Sequence, residues 1–71
     1  MSKEIRIRLG DHIRFLRKKH NLTQEELARR AGISTNYLQN LEGKKPKTAS
    51  VVTLEKLAKG FDISLAKLMK F

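Results

Sequence analysis

Cysteine is absent from the chain, which excludes disulfides and thiolate metal sites without fixing a compartment. Acidic residues are scarce: 7 Asp and Glu stand against 16 Lys and Arg, and the resulting net charge of +9 favours a polyanionic partner, either nucleic acid or an anionic membrane surface. The membrane reading is the weaker one, because no apolar run approaches the roughly 20 residues that a spanning helix needs. The N-terminal MSKEIRIR also lacks the apolar centre of a signal peptide, so a cytoplasmic location is expected. There is no glycine-rich phosphate loop, and the acids Glu4, Asp11, Glu25, Glu26, Glu42, Glu55 and Asp62 are scattered or placed as helix caps. No catalytic constellation and no cofactor site follow from such a pattern. His12 and His20 have no acidic or thiol companion at ligand spacing, which predicts surface histidines rather than a metal site. At 71 residues the chain reads as one domain, 1–71, with little room for an enzyme cleft and much to gain from oligomerisation.

What is present is concentrated in Leu22 to Glu42, LTQEELARRAGISTNYLQNLE. Thr23 with Glu26 three residues later spells a capping box, so a helix is predicted to start at Gln24, with Leu22 and Leu27 as its hydrophobic staple. Gly32 supplies the positive φ that stops it. Ser34 then caps a second helix with Ile33 and Leu38 as staple, and two short helices joined by one tight turn over about 24–42 are a helix-turn-helix. In that second helix Tyr37, Leu38 and Leu41 fall on the inward side and Thr35, Asn36, Gln39 and Asn40 on the outward one. Those four side chains suit base edges: Asn and Gln pair with adenine through two hydrogen bonds, and Thr offers a methyl group and a hydroxyl. On an arbitrary helix four such residues would merely be solvated; the preceding helix and glycine turn favour base reading.

The pattern T-Q-E-E-L-A-x-x-A-G-I-S-x-x-Y-L-x-x-L-E resembles the helix-turn-helix of the Cro and phage-repressor class, also called the xenobiotic-response-element family. The likeness extends through L-G-x-x-I-R-x-L-R at Leu9 to Arg17 and S-V-V-T-L-E-K-L-A-K at Ser50 to Lys59, covering roughly residues 9–69. It implies an all-α bundle of about five helices whose third enters the major groove of double-stranded DNA. It also implies phosphate contacts at Gln24 and Ser34, base contacts at Thr35, Asn36 and Asn40, with Gln39 less securely placed, and a partly buried ion pair between Arg17 and Glu42.

The flanks supply the rest of the bundle. Ile5, Leu9, Ile13 and Leu16 form a stripe on a first helix that Ser2 caps and that closes near His20, with Asn21 in the left-handed conformation. Ile5-Arg6-Ile7-Arg8-Leu9 also alternates like a strand, and helix is favoured there. In the loop GKKPKTA, Lys44, Lys45 and Lys47 are the candidates for gripping the phosphate backbone. A fourth helix after Ser50 carries the stripe Leu54, Leu57, Ala58 and Phe61, with Gly60 expected to fray its end a residue early. Ser64 caps a last short helix on which Leu65 and Met69, with Phe71 beyond, form an apolar patch fitted either to a homodimer interface or to the monomer core. The reading is a sequence-specific transcriptional regulator. An antitoxin-type interaction module is the alternative, although little sequence outside the bundle would serve to bind a toxin.

Overall fold

In the computed structural model, which describes residues 2–44, 46 and 48–71, the elements are α1 (Lys3–Lys19), α2 (Gln24–Ala31), α3 (Thr35–Glu42), α4 (Val51–Gly60) and α5 (Leu65–Leu68). All five start in the same way. Ser2, Thr23, Ser34, Ser50 and Ser64 hold extended backbone, and each hydroxyl oxygen accepts from the amide three residues on, satisfying a donor that the helix leaves unpaired. At α2 the cap is reciprocal: the Thr23 amide donates to Glu26 Oε1 at 2.9 Å and the Glu26 amide to Thr23 Oγ1 at 3.1 Å.

The hydrogen bond from the Thr23 amide holds the Glu26 carboxyl below its ordinary pKa, helped by the Thr23 hydroxyl and the charges of Arg29 and Arg30. A folded pKa below the unfolded one means that the contribution to stability is present above the unfolded value and is lost as pH falls through the folded one. Glu26→Gln is therefore expected to melt with a shallower dependence on pH below about pH 5 than the wild type does. Equal slopes in the two proteins would assign that acid titration to other carboxylates.

Three of the helices also end alike. Asn21 (φ 56°), Gly32 (φ 72°) and Asp62 (φ 58°) take the left-handed conformation, and the amides of the following Leu22, Ile33 and Ile63 donate back to Arg17, Ala28 and Ala58. Each is a Schellman closure. The apolar residue of each closure directly precedes the next helix cap, so Leu22, Ile33 and Ile63 finish one helix while also standing in the staple position of the next. Asn21 and Gly32 behave as the sequence predicts; Asp62 joins them because a short polar side chain tolerates this conformation.

Helix α2 packs on α3 and α4, α1 on α3, and α5 on α4. Leu9, Ile13, Leu27, Leu38, Leu41, Leu57, Phe61 and Leu68 are the largest fully buried side chains. Two expectations change here. Burial on α1 begins only at Leu9: the preceding turns are helical under the Ser2 cap, but Ile5 stands 42% exposed. Gly60 does not shorten α4, which includes it. A Cβ at Gly60 would lie 3.2 Å from Leu27 Cδ1 and 3.3 Å from the Cβ and backbone N of Ala31, so this glycine lets α4 lie close on α2. Gly10 performs the same service more severely, since a Cβ there would overlap the Leu41 carbonyl oxygen at the end of α3.

Candidate nucleic-acid interface

Helix α3 is held from three sides. Its cap, Ser34, accepts the Tyr37 amide at 3.0 Å; Leu38 and Leu41 anchor it in the core; and its last residue, Glu42, is clasped by α1. Arg17 Nε donates to Glu42 Oε2 and Arg17 Nη2 to Oε1, both at 2.9 Å, while Nη1 donates to the Leu22 carbonyl at 3.0 Å. The side chains are 13% and 3% exposed respectively, so the pair that the resemblance implied is buried and held by two hydrogen bonds. Burial takes it out of the class of surface ion pairs that contribute little. It fixes α3 against α1 and the α1–α2 connector together.

With the inner face committed, the outer face of α3 presents Asn36 and Gln39 exposed and Thr35 and Asn40 half-buried. These are the four residues expected to read bases. Ser34 spends a lone pair on its cap, leaving its hydroxyl proton to donate outward. Gln24, the other expected phosphate contact, is half-buried and its Nε2 lies 3.4 Å from Glu42 Oε1, a long hydrogen bond that leaves its carbonyl oxygen unengaged. Lys44 is exposed just beyond α3. Lys45 and Lys47 lie outside the described residues. Tyr37, half-buried, donates from its hydroxyl to the Thr48 carbonyl at 3.4 Å and so ties the lysine loop to α3.

One cation at this end of α3 escaped the sequence reading. Arg14 pairs with Asp11 at 2.6 Å and reaches the Glu42 carbonyl at 3.4 Å, lining the same concavity as Lys44. Nothing in the local spacing marks it, because the contact joins residues 28 apart. His12 also departs from expectation. It is half-buried, with its ring 6.5 Å from that of Phe15 and 5.4 Å from that of Phe71. Phe71 is further tied to α1 by Arg8, whose Nη2 donates to the Phe71 carbonyl at 3.0 Å while its guanidinium lies 5.7 Å from the ring centre. Phe71 and Leu65 are thus half-buried against the core, whereas Met69 is 37% exposed.

The helix-turn-helix family pattern matches residues 13–68, spanning all the elements that build this face. The chain belongs to the Cro/C1-type helix-turn-helix family. It is a DNA-binding transcription regulator of that type. The control protein C.MunI of Mycoplasma sp. is 36% identical over 66 residues, covering 92% of this chain and 88% of that protein. Among solved structures, the restriction-modification controller protein C.AhdI from Aeromonas hydrophila superposes with a TM-score of 0.82 at 32% identity, over 89% of this chain and 94% of that one. The biofilm master regulator SinR, solved in complex with DNA, gives 0.78 at 31% identity, over 87% and 98%. Among the described residues no helix is long and apolar enough to cross a membrane.

Proposed function

We propose that this regulator is a repressor that binds an inverted-repeat operator as a homodimer, with α3 in the major groove. The observation that carries the proposal is the uncharged, hydrogen-bonding outer face of α3, presented on a helix whose inner face and end are rigidly committed. Asn36, Gln39, Asn40 and Thr35 read base edges in this scheme; Gln24, Ser34, Lys44, Lys45 and Lys47 grip phosphates, and Arg14 adds charge beside Lys44. Eight residues of α3 extend only ~12 Å, enough for a few base pairs. The longest dimension of the described fold is 26 Å, short of the ~34 Å between successive major-groove faces, so reading two half-sites takes two copies. The likeness to C.MunI and C.AhdI, both controller proteins, supports regulation of transcription as the use of that binding.

Selection of bound sites from random duplexes tests the reading directly: an enriched inverted repeat is the expected result, and equal recovery of all sequences would overturn it. Asn36→Ala or Asn40→Ala is expected to cost ~1–3 kcal/mol on the best site and to relax preference at one or two positions. Lys44→Ala or Lys45→Ala should instead weaken all sequences alike and flatten the salt dependence. Because α3 contains no arginine, the usual two-bond reader of guanine, its contacted positions should lean towards A·T pairs.

The dimer surface assigned to Leu65, Met69 and Phe71 centres on Met69, the exposed member. Val51 and Val52 at the start of α4 are more exposed, at 64% and 63%, and provide the competing surface. Met69→Glu is expected to shift sedimentation from dimer to monomer while melting stays cooperative. A shift produced by Val52→Glu and not by Met69→Glu would move the interface to α4.

A further inference from the structure

A sizeable cavity among the described residues lies away from α3. Its volume is about 740 Å³, within the range of small-molecule sites, and no described residue of α3 or of the lysine loop lines it. The C-terminal half of α1 forms one wall with His12, Phe15 and Leu16; Phe61 and Ile63, from the end of α4 and its connector, form another. Its apolar surface comes chiefly from Phe15, Leu16 and Ile63, because Phe61 is only 2% exposed. Phe15, 60% exposed, is one of the largest apolar side chains that folding leaves in water, and His20 lies against Phe61 with ring centres 5.3 Å apart.

The rim has the opposite character. Lys19, Arg30, Lys67 and Lys70 line the cavity against a single carboxylate, Asp62, and none of the four cations is ion-paired among the described residues. Lys19, Arg30 and Lys67 each stand in the last turn of a helix, α1, α2 and α5, where a cation answers the carbonyl end, and Lys70 follows α5; the fold brings all four to one rim. An apolar floor carrying the Phe15 ring beneath an unpaired cationic rim matches an amphipathic solute carrying a ring at one end and a negative charge at the other. Such a solute stacks its ring on Phe15 and neutralises lysines without burying a charge of its own.

We infer that the groove between α1, α4 and α5 is a binding site for a small aromatic anion, an aryl ring bearing a carboxylate or phosphate group. The site shares no lining residue with α3, so a bound ligand leaves the base-reading face open. Its existence does not depend on which operator the protein reads.

The test is shift mapping of the ¹⁵N-labelled full chain without DNA, titrated with naphthoate and with phenyl phosphate, and with benzylamine as the ring of opposite charge. Saturating shifts with a Kd of ~1 mM or tighter are expected, centred on Phe15, Lys19, Ile63 and Lys67. The stronger of the two anions identifies the preferred head group. Phe15→Ser and Lys67→Glu, both at exposed positions, should each weaken binding by about fivefold or more while leaving the rest of the spectrum in place. The proposal is overturned if the shifts do not saturate, if benzylamine reproduces them, or if inorganic phosphate alone does. It is equally overturned if they centre on α3 and Lys44, since that would be generic attraction of an anion to the DNA-facing surface.

Discussion

Gly10→Ala is expected to destabilise the protein by ~3 kcal/mol, lowering its melting midpoint by ~12–24 °C. Helix propensity alone predicts the reverse, since alanine is favoured over glycine in a helix interior by ~1 kcal/mol. Packing decides the sign. The new Cβ would overlap the Leu41 carbonyl oxygen and lie 3.3 Å from the Leu41 carbonyl carbon and 3.5 Å from Glu42 Cα, all of them backbone atoms that cannot swing aside. Relief requires α3 to shift away from α1, carrying the face proposed to read bases with it, so DNA affinity should fall even at temperatures where the variant is folded. Gly43→Ala is the control: its Cβ would meet the Gln39 carbonyl oxygen at 3.2 Å, which a few tenths of an ångström relieves. If Gly10→Ala melts at or above the wild type, α1 and α3 are not in this close contact.

Arg17→Ala is expected to cost ~3–5 kcal/mol, because it leaves the Glu42 carboxylate, 3% exposed, without its counter-charge. The same change removes the donor to the Leu22 carbonyl and loosens the α1–α2 connector. Two companions separate this cost from a general effect of losing a long side chain. Arg17→Met combined with Glu42→Leu should recover at least half of the loss, since an apolar pair buries no charge. Arg17→Lys should fall between, retaining a charge without the planar fork that makes both bonds. The exposed Lys59→Ala should change stability by less than ~0.5 kcal/mol. Denaturant unfolding measures all four, and an Arg17→Ala midpoint equal to that of Lys59→Ala would remove the ion pair from any account of stability.

Helix starts were legible because each is written locally: a Ser or Thr three residues before the amide it serves, and apolar staples at fixed offsets. The buried stripe Leu54, Leu57, Ala58 and Phe61 was legible for the same reason, as two turns of one helix face. The glycines were not. Whether Gly60 weakens a helix or admits a neighbour depends on Leu27 and Ala31, which the sequence around residue 60 does not reveal. Arg14 and His12 were missed likewise: one is defined by the end of a helix 28 residues away, the other by a ring at the far end of the chain. At the interface, polarity and helical phase identified the outward side of α3, but Gln24 Nε2 near Glu42 arises only when α2 is docked.

The three repeated closures at Asn21, Gly32 and Asp62 also set the order in which the chain can organise. Each is complete within six residues, so α1, α2, α3 and the α4–α5 pair acquire their reversals at almost no cost in chain closure. The clasp of Arg17 on Glu42 spans 25 residues and cannot form until α2 and α3 are both in place between its partners. Folding is therefore expected to run quickly from local contacts, with the α2–α3 unit assembling first and the docking of α1 as its entropically demanding step. Mutations in the closures should act mainly on the folding rate and those at the Arg17 clasp on the unfolding rate, a division that φ-values measure. A regulator built in this way regains the outer face of α3, proposed to read DNA, soon after any transient opening of α1.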